Sequence, residues 1–184
     1  MGMGFRNLAS LATLLALAAC SSSGPSSSPL PRTAEWFSYI AGEDIQAACR
    51  ERAPDRYRFV YNAVYTEQVR TYDLSLEAGA TGLLRSAVFG GLPVSTFSLS
   101  DPLARWRGDV SWDSVTPESV ARIRAELAGA GFFAPPPVGQ FLDSGNFYWV
   151  INACIDGRHH FNVFTAPSRP VGELGFFAQL LRHD

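Results

Sequence analysis

The stretch from Phe147 to Phe164 constrains this chain more than any other. Two runs rich in β-branched and aromatic residues flank Asp156-Gly157. Asp-Gly is a favoured pair for a two-residue type I′ turn, whose two central residues need positive φ and whose twist matches that of the flanking strands. The spacing predicts a hairpin of fixed register: Cys154 opposite His159, Asn152 opposite Phe161, Val150 opposite Val163. These six residues share one face. Trp149, Ile151, Ala153, His160, Asn162 and Phe164 share the other. A one-residue slip would exchange the faces, so the register decides where Cys154 points. It places Cys154 inward, towards a helix carrying Cys49.

Arg56–Tyr65 alternates with period two, which predicts a strand. Tyr57, Phe59, Tyr61, Ala63 and Tyr65 lie on one side, and Arg58, Val60, Asn62 and Val64 on the other. Thr66-Glu67 is a turn signal, and Val69–Leu76 reads as the returning strand. Leu83–Phe89 and Val94–Leu99 suit a third and a fourth strand. Residues 103–113 carry no firm period, although Trp106 and Trp112 suit packing on a sheet. Ala34–Ile40 reads as a short helix or strand. Glu43–Arg50 reads as a helix, with Ile45 and Cys49 on one face and acids in its first turn. Thr116–Ala130 has the strongest helical signature. Thr116 is a good N-cap, Pro117 suits the first helical position, and Val120, Ile123 and Leu127 form a stripe. Glu118, Arg122 and Glu126 are spaced for i,i+4 pairs. Val171–Arg182 is a closing helix.

This order predicts an α+β domain: an antiparallel sheet built from hairpins, with helices packed mainly on one face. Phe59-Val60-Tyr61-Asn62-Ala63 echoes Trp149-Val150-Ile151-Asn152-Ala153, a likeness that strand grammar alone also produces.

The N-terminus follows different rules. Arg6 is the one charge before Leu8–Leu17, a nearly unbroken apolar run closed by Ala18-Ala19-Cys20. A basic start, a short apolar run and small residues before a cut site describe an export signal. The run falls short of the about 20 residues that span a bilayer. Residues 21–31 are almost wholly Ser, Gly and Pro, the composition of a tether.

Leu17-Ala18-Ala19-Cys20 resembles the lipobox of bacterial lipoproteins. The resemblance implies that signal peptidase II removes residues 1–19 and that Cys20 becomes the lipidated first residue of the mature chain. Residues 20–32 are then a tether and residues 33–184 one globular domain. Ser21, in place of the Asp linked to inner-membrane retention, implies an outer-membrane position facing the periplasm. Two or three acyl chains on Cys20 anchor a protein stably, since each buried CH₂ contributes about 0.8 kcal/mol. The element order of the domain is also loosely similar to α+β domains of other exported bacterial proteins, which implies no activity.

With Cys20 acylated, Cys49 and Cys154 remain, and pairing is the default in an oxidising compartment. Closing a loop of about 100 residues stabilises by up to about 4.7 kcal/mol in the chain-entropy view. A metal site using both thiols and His159 is the alternative, though the C-x₂-C spacing is missing.

The net charge is −2, so no nucleic acid or other polyanion partner is implied. All 15 basic side chains are arginine, which excludes Schiff-base, P-loop lysine and Ser-Lys chemistry. No cofactor or catalytic motif is present. His159 and His160 are adjacent in a strand and point to opposite faces. Arg105 and Trp106 have the chemistry for a sugar or peptide contact. Arg56 and Arg58, opposite the Tyr57 aromatics, are expected to flank a solvated edge, and His183 to be frayed. A Ser/His/Asp site assembled from distant residues stays open.

The chain is therefore expected to be a membrane-anchored envelope lipoprotein, a non-enzymatic module contacting another envelope protein or the cell wall. One alternative is a small envelope hydrolase or transferase. Another is a periplasmic ligand-binding domain using aromatic surface left uncovered on the Tyr57 strand.

Overall fold

In the computed structural model, Asp156 (φ 51°) and Gly157 (φ 72°) form the tip of a hairpin between two antiparallel strands, Phe147–Ile155 and Arg158–Thr165. The register matches the sequence expectation: Cys154 faces His159, Asn152 faces Phe161 and Val150 faces Val163. The structure describes residues 29–64, 68–77, 81–90, 108–139, 141–165 and 174–183. The chain divides into two units, Met1–Trp36 and Phe37–Asp184. Cys20, the candidate strand Val94–Leu99, Arg105 and Trp106 lie outside the described residues.

The elements run α1 (Pro29–Ala41), α2 (Glu43–Arg50), β1 (Arg56–Ala63), β2 (Gln68–Leu76), β3 (Gly82–Gly90), β4 (Asp109–Val115), α3 (Pro117–Gly129), β5 (Phe147–Ile155), β6 (Arg158–Thr165) and α4 (Gly175–Leu180), followed by a 3₁₀ turn, Leu181–His183. The six strands form one antiparallel sheet in the order β4-β3-β2-β1-β5-β6. The fold is α+β. Among the described residues, no helix is long and apolar enough to cross a membrane.

One face of the sheet holds the main core. Tyr57, Phe59 and Tyr61 of β1 align with Leu74 and Tyr72 of β2 and with Ala153, Ile151 and Trp149 of β5. Val120, Ile123 and Leu127 of α3 and Phe176 and Leu180 of α4 belong to the same cluster. Trp149 sits at its centre, fully buried, with its ring 4.6 Å from Tyr61, 5.4 Å from Phe176 and 5.1 Å from Phe177. Each large side chain so buried contributes about 1.5–3 kcal/mol. The Tyr57 side of β1 is therefore covered, not left open for a ligand: Tyr57 and Phe59 are buried completely. The reason is that β1 lies in the interior of the sheet, under the aromatic face of α4.

α3 starts and stops as its caps dictate. The Thr116 side chain accepts from the Ser119 amide, and Pro117 opens the first turn. Gly131, at φ 81°, takes the left-handed position that ends it. Glu126 turns from the expected pairing with Arg122 to accept from Gln179 of α4 at 3.1 Å.

The opposite face carries a smaller cluster, Ile45 and Cys49 of α2 with Cys154 of β5. Cys49 and Cys154 form a disulfide, with Cα atoms 5.4 Å apart and 105 positions of chain between them. The corner between α1 and α2 rests on Asn152, whose amide donates to the Ile40 carbonyl at 2.8 Å. Gly42 turns that corner at φ 69°, and a Cβ there would overlap the Asn152 side chain. The two echoing pentapeptides lie side by side in antiparallel β1 and β5, with Val60 directly opposite Val150.

Candidate functional site

The same face bears a row of polar and aromatic side chains that crosses five strands. Pairing places Asn152 of β5 beside Arg58 of β1, Arg58 beside Asp73 of β2, Asp73 beside Arg85 of β3, and Arg85 beside Trp112 of β4. The row begins buried and ends in solvent. Arg58 is 4% exposed, whereas Trp112 is 59% exposed.

Arg58 is the hub. Its Nε donates to Asp73 Oδ1 at 2.6 Å. Its NH1 donates to Asp44 Oδ1 at 2.7 Å and to the Tyr39 carbonyl at 3.0 Å, and its NH2 to Asp44 Oδ2 at 3.0 Å. The guanidinium carbon lies 3.7 Å above the centre of the Tyr39 ring, a cation–π contact. Tyr39 in turn donates its hydroxyl to Asp73 Oδ2 at 2.6 Å. Burial alone would lift the Asp44 carboxyl, but the hydrogen bonds and charge of Arg58 outweigh it and hold its pKa below the ordinary value. Burial and then the Asp73 charge push the Tyr39 hydroxyl far up. Arg58 stays charged: burial opposes its charge, and the bonds to Asp44 and Asp73 restore it.

This corrects the expectation of a solvated edge for Arg58. The α1–α2 corner covers it, and a buried charge persists when it is paired and hydrogen-bonded. Arg56, a third exposed in its side chain, reaches Asp44 only at 3.9 Å. Arg85 is 4.0 Å from Asp73 Oδ2, and its guanidinium lies 6.0 Å from the Trp112 ring centre. Trp112 is thus carried by a chain of charges rooted in the interior. Val110 on the same strand and Leu83 on β3 share this face and are 44% and 40% exposed, so the row ends in an apolar strip at the outermost strand.

His159 and His160 point to opposite faces, as their adjacency requires. His159 lies opposite Cys154, and its Nε2 is buried with no hydrogen-bond partner among the described residues. His160 packs edge-on against Phe133, ring centres 5.0 Å apart, and is half-buried. Burial lowers the pKa of both, helped by Arg50 near His159 and by Arg158 and Arg124 near His160. Each is neutral in the folded protein at a pH where the unfolded chain, near about 6.5, takes up protons. Stability is full above that value and is lost as the pH falls towards the folded pKa values. Thermal unfolding is expected to show a midpoint that falls between about pH 7 and 5, with a shallower fall in His159→Gln. A midpoint flat across that range would refute this.

His183 is not frayed. Its Nδ1 lies 3.1 Å from Asp113 Oδ2, and its carbonyl accepts from Ser111 Oγ at 2.9 Å. Serine, histidine and aspartate meet here, but the hydroxyl is directed at the main chain and not at the imidazole, so no nucleophile–base pair is formed. Among the described residues, no group of three His, Cys, Asp or Glu side chains is placed to hold a metal ion.

The hairpin tip forms the other polar region. Arg52, Ala53, Asp156, Gly157 and Arg158 line an open depression of about 450 Å³. Asp156 pairs with Arg124 of α3, and its amide donates to Asp55 Oδ1 at 2.9 Å. Nearby, the Tyr57 hydroxyl is pushed up to about 12, first by burial and then by the Asp55 charge.

No protein-family model, curated protein or solved structure matches the chain.

Proposed function

We propose that the chain is an exported lipoprotein of the bacterial envelope, whose folded unit is a non-enzymatic interaction module. The observation that best supports this is the Cys49–Cys154 disulfide. A buried bridge between a helix and an interior strand suits an oxidising compartment, the one to which the N-terminal twenty residues point. In this reading the mature chain begins at Cys20, carries diacylglycerol on its sulfur and stands off the outer membrane on residues 20–32, the last four of which open α1 and are helical and not free tether. The membrane is its first partner. The second is another envelope protein, met at the β4 edge, where Trp112, Val110 and Leu83 present apolar surface. Aromatic residues at such positions dominate protein–protein contacts.

Two substitutions test the two halves. Cys20→Ser is expected to abolish metabolic labelling with palmitate and to shift the protein out of the membrane fraction. Unchanged labelling would refute the anchor. A photo-crosslinking side chain in place of Trp112 is expected to capture an envelope protein in living cells. Capture of lipid alone would refute the contact.

A further inference from the structure

The end of α2 and the hairpin tip meet in a way the envelope reading does not use. α2 ends in a Schellman arrangement: the Ala53 amide bonds the Ala48 carbonyl and the Arg52 amide bonds the Cys49 carbonyl, both at 3.1 Å. The residue at that end is left-handed, a conformation for which glycine is the usual choice. Here it is Arg52, at φ 56°. A side chain in that conformation is disfavoured relative to glycine. An arginine in that conformation, on the rim of a depression, points from a backbone outlier to a binding role.

Arg158 lines the same depression. Of the nearby acids, Asp156 lines the depression too and is salt-bridged to Arg124, while Asp55 accepts the Asp156 amide and keeps its charge. Among the described residues, neither the Arg52 nor the Arg158 side chain has a carboxylate or hydrogen-bond partner. The two are also held in fixed relation. Arg52 follows Cys49 by three residues, Arg158 follows Cys154 by four, and the disulfide joins the two cysteines. The cross-link fixes the two backbones, so only the two side chains need ordering on binding.

We infer that Arg52 and Arg158 form a phosphate-binding site. Paired guanidinium forks match the tetrahedral oxygens of phosphate better than any other cationic side chain does. The depression is open to solvent, which leaves room for a phosphate carried as an ester on a larger polar body. Lipid headgroups and soluble phosphates share that chemistry. The inference stands on this geometry and is independent of the lipid anchor.

Calorimetric titration of the full chain in neutral detergent tests it, with inorganic phosphate in one arm and dihexanoyl phosphatidylglycerol in the other. Saturable binding is expected in at least one arm, and the arm that responds identifies the source. Arg52→Gly and Arg158→Gln are each expected to weaken it about tenfold or more, one charge-assisted fork being lost. Arg122→Gln, on the exposed side of α3, should leave it unchanged. Arg52→Gly is also expected to raise the thermal midpoint, because glycine takes the left-handed position freely, so loss of binding in that variant is not loss of fold. No saturation in either arm, or equal affinity in Arg52→Gly, Arg158→Gln and the unaltered chain, would overturn the proposal.

Discussion

Arg58→Ala is expected to lower the stability of the folded unit by about 3 kcal/mol, at the lower end of what breaking a buried pair costs. Asp44 is half exposed in its side chain and recovers some hydration, but Asp73 is 15% exposed and would keep a buried charge with its strongest partner gone. The alanine also removes the plate that packs on Tyr39 and the donor that holds the Tyr39 carbonyl, so the α1–α2 corner is left to Asn152 and the disulfide. Urea unfolding measures the change. The pair Arg58→Met with Asp73→Asn separates charge from packing. It is expected to be more stable than Arg58→Met alone, since the unpaired charge is removed with its partner. Acid should add a second signature. The Asp44 pKa lies below the ordinary 3.8, so its contribution is full above that value and is lost as the pH falls through the folded pKa. Arg58→Met should flatten the acid limb below about pH 4. An Arg58→Ala variant within about 0.5 kcal/mol of the unaltered protein would mean that the cluster is a surface pair of no consequence.

The second large effect concerns the bridge. Replacing Cys49 and Cys154 together by alanine is expected to destabilise by about 2–5 kcal/mol, most of it through the greater freedom of an unfolded chain no longer closed on itself. Both sulfurs are buried against Ile45, so the loss of their packing adds to the loss of the link. Reductant should lower the denaturation midpoint of the unaltered protein and leave that of the double variant where it is. Equal midpoints for the two proteins before reduction would show that the bridge contributes nothing.

Local signals in the sequence carried the elements well. Asp156-Gly157 set both the turn and the register, and with the register the inward direction of Cys154. Thr116, Pro117 and the Val120, Ile123, Leu127 stripe set α3, because caps and periodicity act within a few residues. Strand β4 escaped notice because Asp109, Ser111, Asp113 and Ser114 give it the polarity of a loop, tolerable on an outermost strand.

What lies on top of a strand was not legible. Period two told that Arg58 and Tyr57 point to opposite sides, but not that both sides are covered. That depends on how α1 and α2, just before β1, and α4, over a hundred residues later, fold back onto the sheet, which the period of the strand does not carry. A signal was nevertheless available: an arginine in the middle of an aromatic strand, bounded by apolar neighbours, calls for a buried acid. The anchoring of His183 is invisible locally for the same reason, its partners Ser111 and Asp113 lying some seventy residues away. Arg52 gave no signal, because a left-handed helix end is announced by glycine and this one has none.

Mass spectrometry of the native protein tests the central claim most directly. The account predicts a chain that starts at Cys20, heavier than its sequence by the mass of its acyl groups, with one linked peptide joining Cys49 to Cys154. A chain that keeps residues 1–19, bears no lipid and yields two free thiols would contradict it.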